Sequence, residues 1–119
     1  MAFTDLRVWQ QAMKLTLDIY RSTANFPKHE VYGLTQQMRR AAVSVPSNIA
    51  EGKGHKSDRE LSRFLHHARG SLLELQTQVM IAKELQYLAK ADGTRLLELA
   101  ADVGRSLNAL LNSVEEKAA

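Results

Sequence analysis

Apolar residues recur at intervals of three or four positions along almost the whole chain, and this period constrains the fold more than any other feature. The first row runs through Leu6, Trp9, Met13, Leu17 and Tyr20, and three comparable rows follow it. Such spacing places the side chains on one face of an α-helix. No alternating pattern of the kind that strands require has a useful length, so we predict an all-α fold.

Helix-breaking and helix-capping residues separate the four rows. Pro27 ends the first row, because the residue before a proline is pushed out of the α region, and Gly52 and Gly54 end the second. Ser57 and Glu60 then form a Ser-x-x-Glu capping box, which marks the start of a third helix. These signals predict helices over residues 4–25, 31–52, 57–88 and 92–117.

The connections between the predicted helices are only a few residues long, so consecutive helices must be antiparallel neighbours. A chain of 119 residues suits one hydrophobic core. We therefore predict a single domain, residues 1–119, folded as an antiparallel up-down-up-down four-helix bundle. The apolar faces of the first and fourth helices look wider than a two-helix seam requires, which predicts self-association.

Composition excludes several classes of protein. The chain has no cysteine, which excludes disulfides and thiolate zinc sites, and no apolar run approaches the ~20 residues of a membrane-spanning helix. Nothing at the N-terminus resembles a leader, so we expect a soluble, cytoplasmic protein. His29 and Glu30 begin like a zinc-protease HExxH motif, but Gly33 stands in place of the second histidine. We predict no metal, cofactor or catalytic residue.

Positive charge is concentrated in the middle of the chain. Residues 31–90 contain nine lysines and arginines against five acidic residues, whereas residues 91–119 contain three against five. The middle segment also carries three of the four histidines. A basic segment of this kind suits a polyanion such as RNA, and a solvated, mildly basic face is the alternative interpretation.

The strongest candidate surface lies where the second helix gives way to the third. Lys53, His55 and Lys56 occupy a Gly-Lys-Gly turn that leads into a helix N-terminus, where free N–H groups favour an anion. The turn lacks the spacing of a Walker A loop, and an ordinary flexible turn is the alternative. The third helix continues the surface with a basic row at Arg59, Arg63, His66 and Arg69. We assign Phe64 to the core, so the row lacks exposed aromatic residues, and phosphate contact without base stacking is expected.

A further candidate is Arg40 on the second helix. It shares a polar row with Ser44, Ser47 and Glu51, and this row faces either RNA, a neighbouring subunit or solvent. Arg39 points about 100° away from Arg40 and is the weaker candidate.

Pro46 interrupts the hydrogen bonding of the second helix, because proline has no backbone N–H, and this costs about 3 kcal/mol unless something compensates. A kink that wraps the helix around the core is the favoured interpretation. Asn48 either satisfies a freed carbonyl or points towards a partner subunit.

Five phrases spread over nearly the whole chain match one known family. They are VWQ at 8–10, YGL at 32–34, QMRRAA at 37–42, SVPSNIAEG at 44–52 and GSLLEL at 70–75. In this order and spacing they resemble the four-helix-bundle family named for proteins encoded within intervening sequences of bacterial 23S ribosomal RNA. Where that family usually has a basic residue after Gly-Lys-Gly, this chain has His55. The resemblance implies a cytosolic homopentamer with a central channel. A similar bundle is the accessory protein of diversity-generating retroelements, which associates with nucleic acid and with a reverse transcriptase.

Three hypotheses about function follow. The leading one is a non-enzymatic, homo-oligomeric scaffold, pentameric by resemblance, that binds RNA or another polyanion. Its candidate binding residues are Arg40, Lys53, His55, Lys56, Arg59, Arg63, His66 and Arg69. The second is a protein-docking module for a partner such as a reverse transcriptase, without nucleic-acid binding. The third is a helical ribonuclease of the HEPN type, whose arginine–histidine spacing Arg59 and His66 resemble and in which the histidine does the acid–base work on the ribose hydroxyl.

Overall fold

Four α-helices account for most of residues 1–118, which are the residues that the computed structural model describes. They are α1 (Arg7–Thr23), α2 (Leu34–Lys53), α3 (Asp58–Glu84) and α4 (Lys90–Ala118). Single turns of 3₁₀ helix precede α1 and α2, at Phe3–Asp5 and Lys28–Glu30. The described part of the chain contains no strand, which confirms the all-α prediction.

The helices pack as predicted, each against its neighbours in sequence, and α1 contacts α4 to close the bundle. The result is an elongated molecule of 46 × 24 × 21 Å. Each helix contributes fully buried side chains to one continuous core, for example Leu15, Met38, Leu65 and Leu107. Burying a side chain of this size stabilises the fold by roughly 1.5–3 kcal/mol. The predicted up-down-up-down bundle is therefore confirmed.

The apolar surplus lies partly on a different helix from the one expected. On α1, Leu17 and Tyr20 are exposed, in agreement with the wide face predicted for that helix. On α4 every leucine and valine is buried or half-buried, because both α1 and α3 pack against it. Further exposed apolar residues are on α2, at Val43, and on α3, at Leu73, Met80 and Ile81.

The third helix ends at Glu84, four residues before the predicted end. Gln86 adopts the left-handed conformation, with φ of 62°, which L-residues other than glycine and asparagine seldom adopt. Its N–H donates to the carbonyl of Lys83 at 3.0 Å, and the N–H of Tyr87 donates to the carbonyl of Ala82 at 2.9 Å. This is a Schellman motif without its usual glycine. Without that glycine the sequence contained no signal for the end of the helix.

The second helix begins at Leu34, three residues later than predicted, because Glu30 supplies its cap from the preceding 3₁₀ turn. Glu30 Oε1 accepts a hydrogen bond from the N–H of Leu34 at 3.1 Å, and Oε2 accepts one from the Tyr87 hydroxyl at 3.0 Å. These two bonds lower the pKa of the Glu30 carboxyl. A Cβ at Gly33 would lie 2.6 Å from Glu30 Oε1, so a side chain there would displace the carboxylate from the Leu34 N–H.

Pro46 lies buried inside α2, and the carbonyl that it leaves without a helical partner belongs to Ala42. The hydroxyl of Thr16 on α1 lies 3.0 Å from this carbonyl and 2.8 Å from the carbonyl of Ala12, so the two carbonyls share its one proton. Asn48 does not fill this role: its amide donates to the carbonyl and the hydroxyl of Ser44, at 2.8 and 2.9 Å. The compensation that Pro46 requires therefore comes from a neighbouring helix, which sequence reasoning missed.

An ion pair between half-buried Asp18 and Arg95 joins α1 to α4. Arg95 donates to both carboxylate oxygens of Asp18, at 3.0 and 2.9 Å, and the hydroxyl of Ser22 also donates to the carboxylate. The hydrogen bond from Arg95 is the main reason why the pKa of Asp18 is lowered. This ion pair is the principal charged link between the first and last helices among residues 1–118.

We expect Asp18→Asn to lower the free energy of unfolding by about 1 kcal/mol at pH 7, the upper range for such pairs. Because folding lowers the pKa of Asp18, its contribution is present above the unfolded-state pKa near 3.8 and is lost as the pH falls through the folded-state value. Urea unfolding at pH 7 and at pH 3 measures both effects. Asp5→Asn is the matched control, since Asp5 makes no ion pair within residues 1–118. Equal effects of the two variants at pH 7 would contradict the prediction.

Candidate nucleic-acid interface

Most of the predicted basic residues lie together at one end of the bundle, where α2 ends and α3 begins. Lys53 is the last residue of α2, His55 and Lys56 lie in the turn, and the others lie within the first twelve residues of α3. All are exposed except Lys53, which is half-buried. We call this surface the basic end, and it comprises Lys53, His55, Lys56, Arg59, Arg63, His66 and Arg69.

Several cations of the basic end already have partners. Arg63 donates to the Glu60 carboxylate through two nitrogens, at 3.2 and 2.9 Å, and this contact lowers the pKa of Glu60. Lys53, Lys56 and Arg59, by contrast, make no ion pair and no side-chain hydrogen bond within residues 1–118. These three side chains are the charges that remain available for a polyanion.

The start of α3 is capped by the protein itself. The hydroxyl of Ser57 accepts a hydrogen bond from the N–H of Glu60 at 3.3 Å, as the capping box predicts. The reciprocal half of the box is absent, because the Glu60 carboxylate binds Arg63. Asp58 and Glu60 also place negative charge in the first turn. An anion at this end would therefore be held by basic side chains and not by the helix N-terminus.

His66 links α3 to α4. Its Nδ1 lies 3.2 Å from Arg69 Nη2, and its Nε2 lies 3.2 Å from Glu115 Oε1. Because arginine only donates, Nδ1 must accept, and the proton on Nε2 is donated to the carboxylate. An acid–base catalyst needs a nitrogen that reaches the substrate. Both nitrogens of His66 are engaged by protein partners, and Arg59 lies about 10 Å away along the helix.

Phe64 does not belong to the core to which the sequence pattern assigned it. It is half-buried and lies at the surface of the basic end. The ring of His55 stacks on it, with centroids 5.0 Å apart and planes inclined by 18°. The guanidinium of Arg63 lies 4.6 Å from its centroid, and the ring of His67 lies 6.3 Å away. The basic end therefore contains an aromatic cluster, contrary to the prediction of a row without accessible aromatic rings.

Gly52 makes room for this cluster. It is buried against α3, and a Cβ added to it would lie 2.8 Å from the Cβ of Phe64 and 3.1 Å from Leu61 Cδ1. Three residues later the N–H of His55 donates to the Gly52 carbonyl at 3.2 Å. Since two glycines in a turn suggest flexibility, sequence reasoning missed this close contact between the helices.

Arg40 lies apart from the basic end. Thirteen residues separate it from Lys53 on the same helix, a distance of about 20 Å. Its predicted neighbour Ser44 faces α3, where its hydroxyl lies 2.8 Å from that of Ser71. Arg40 therefore cannot join the other candidates on one short stretch of polyanion. Arg39 holds α2 to α1, since it donates to the Thr23 hydroxyl at 2.9 Å.

Arg40 borders a groove of about 660 Å³ between the end of α1 and the outer face of α2. Seven of the eleven residues that line it are polar, and its four apolar or aromatic side chains are all exposed: Tyr20, Val31, Tyr32 and Val43. A second apolar surface continues along α3, where Leu73, Met80 and Ile81 are 58%, 53% and 45% exposed. Before Gly70 the outward face of α3 is thus mainly basic, and after Gly70 it carries these three apolar side chains among exposed polar ones such as Glu74 and Thr77.

These features define a small four-helix bundle with a basic end and exposed apolar surfaces. The model of one family, described as 23S rRNA-intervening sequence protein, matches residues 4–109. The chain belongs to this family, and the predicted resemblance is confirmed.

A solved structure has the same fold. It is the crystal structure of a Bacteroides thetaiotaomicron protein described as having unknown function and as belonging to the S23 ribosomal protein family. The TM-score is 0.79 at 15% sequence identity, and the match covers 87% of this chain and 97% of the other. No curated protein matches the chain.

Two further findings concern residues 1–118. None of the helices in this range has the length and hydrophobicity that crossing a membrane requires. The same residues contain no group of three histidine or acidic side chains placed to hold a metal ion.

Proposed function

We propose that this protein is a non-enzymatic, cytoplasmic, homo-oligomeric scaffold that holds RNA or another polyanion at its basic end. The observation that carries the proposal is the position of Lys53, Lys56 and Arg59, three cations without partners in residues 1–118 that lie within seven consecutive positions. Membership of a family named for 23S rRNA intervening sequences supports it.

The proposed mechanism is phosphate contact. Lysine and arginine side chains that neutralise phosphates release condensed counterions, which makes the affinity depend on salt and little on sequence. Arg63, His66 and Arg69 already have protein partners and contribute less. Each phosphate contact contributes roughly −0.7 to −0.9 to the slope of the logarithm of affinity against the logarithm of salt concentration. For three contacts per bound protomer, we therefore expect a slope of about −2 to −3.

Self-association is the second element of the proposal. Leu73, Met80 and Ile81 form an exposed apolar stripe on α3, and a contact between subunits would remove it from water. The family resemblance implies a pentamer. Such an assembly would display one basic end per subunit, so that a strand touching several subunits would bind more tightly than one subunit allows. A monomeric mass by light scattering at micromolar concentration would overturn this element.

The basic end is tested by a combined Lys53, Lys56 and Arg59→Gln variant. We expect its affinity for a labelled RNA, measured by fluorescence anisotropy at about 0.1 M salt, to fall by at least about tenfold, with a much shallower salt slope. The matched control is Arg7, Lys14 and Arg21→Gln, which removes the same charge from exposed positions on α1. An equal loss in both variants would show that net charge alone drives binding, and would contradict a site at the basic end.

The groove beside Arg40 favours a second candidate function, a protein-docking module. Its exposed rim of Tyr20, Val31, Tyr32 and Val43 offers the aromatic anchors that protein interfaces use. A partner such as a reverse transcriptase would bind there, and the basic end would then serve solubility. RNA binding that stays undetectable even at low salt would favour this function over the first.

A further inference from the structure

The aromatic cluster of the basic end has a flat face that points outwards. His55 lies nearly parallel to Phe64 and is exposed, so one face of its ring rests on Phe64 and the other is open to solvent. No side-chain hydrogen bond within residues 1–118 holds the imidazole nitrogens. The pair therefore forms a small stacking platform.

Contacts on both sides of the turn hold the platform in place. Phe64 packs against the last turn of α2, where the absent Cβ of Gly52 lets it approach, and Arg63 lies against its ring. The hydrogen bond from the N–H of His55 to the Gly52 carbonyl orders the backbone of the turn that carries the His55 ring. A platform that is already ordered loses little entropy when a ligand stacks on it.

The platform and the unpaired cations share one turn of the chain. Lys53 and Lys56 lie within two positions of His55, and Arg59 is in the first turn of α3. The flat rings suit the base of a nucleotide, because bases stack on aromatic or histidine rings. The free positive charges beside them suit its phosphate, because phosphates bind lysine and arginine. Double-stranded helices keep their bases inside the stack and do not offer them to such a ring.

We infer that the basic end binds single-stranded nucleic acid, with an unpaired base stacked on His55 and the flanking phosphates on Lys53, Lys56 and Arg59. This inference rests on the proposed function and narrows its ligand from any polyanion to a nucleic acid with unpaired bases. The ring of Phe64 supports the stack from beneath. Stacking tolerates any base, so little sequence preference is expected.

The test compares three labelled ligands of equal length and charge per strand: a single-stranded RNA of twelve nucleotides, the same strand without bases, and the strand in a duplex. The intact single strand should bind about tenfold more tightly than the abasic strand, the effect of one stacked base. His55→Ala should abolish this difference, so that the intact strand binds no more tightly than the abasic one. His55→Tyr should restore the difference, because tyrosine supplies a flat ring without the imidazole.

The emission of a fluorescent base provides a second measurement, which would not change if His55 had only a structural role. The emission of 2-aminopurine in the single strand should change on binding to the protein, and this change should be lost in His55→Ala and kept in His55→Tyr. Equal affinity for intact and abasic strands, with a steep salt slope, would overturn this inference and leave the proposed function standing. No binding of any of the three ligands at low salt would overturn both.

Discussion

Replacing Gly52 by alanine is expected to destabilise the protein by about 2 kcal/mol, although alanine is the better helix former. The new Cβ would lie 2.8 Å from Phe64 Cβ and 3.1 Å from Leu61 Cδ1. The Cβ of Phe64 is tied to its backbone and cannot swing away, so α2 and α3 must separate locally. The gain in helix propensity is small here, because Gly52 is the last but one residue of α2.

Gly104→Ala is the matched control for this prediction. Gly104 lies inside α4, and its Cβ would meet Leu72 Cδ2 at 3.5 Å, an ordinary contact. We expect this variant to be more stable than the wild type by about 0.5–1 kcal/mol, the usual benefit of replacing a helical glycine. Urea unfolding followed by circular dichroism measures both. Similar stabilities of the two variants would show that the α2–α3 contact at Gly52 is not tight.

Replacing Thr16 by valine is the second change with a large expected effect, a loss of about 1–3 kcal/mol of stability. Valine keeps the shape of threonine but cannot donate a hydrogen bond. The carbonyl of Ala42 would then be left inside the core without a partner, because Pro46 has no N–H to offer it. The loss comes from this unpaired carbonyl and not from a cavity.

A double-mutant cycle with Pro46→Ala isolates that cause. The substitution adds a backbone N–H at position 46, which can bond to the Ala42 carbonyl in the ordinary helical pattern. In this background Thr16→Val should cost less, with a coupling of about 1–2 kcal/mol. Thr77→Val serves as a control, since the exposed Thr77 hydroxyl bonds only to a carbonyl of its own helix. Additive effects of the two changes would contradict the explanation.

Within the proposed scaffold, the two halves of α3 have different roles, polyanion binding in the first half and subunit contact in the second. Before Gly70 its outward face belongs to the basic end, and after Gly70 it carries Leu73, Met80 and Ile81. Contact through the apolar half would leave the basic half accessible. Subunits joined in this way would present several platforms to one strand, and affinity would increase with the number engaged.

The helices and their order follow from local features of the chain alone. The period of three to four residues is a local property, so it predicted four helices and a closed bundle correctly. Local chemistry also identified the Ser57 cap, the break at Gly52 and Gly54, and the position of most basic residues. The family could be recognised for the same reason, because its phrases are short and contiguous.

Which of these residues are available for function depends on how the helices pack together. Phe64 lies at the edge of the apolar face of α3, where period alone does not separate core from surface. The partner of His66 is Glu115, 49 positions away, and the partner of the Ala42 carbonyl is Thr16, 26 positions away from it. Contacts of this kind depend on how whole helices pack, whereas local propensity acts over only a few residues. That is why the helices could be predicted from the sequence and the free cations and stacked rings of the basic end could not.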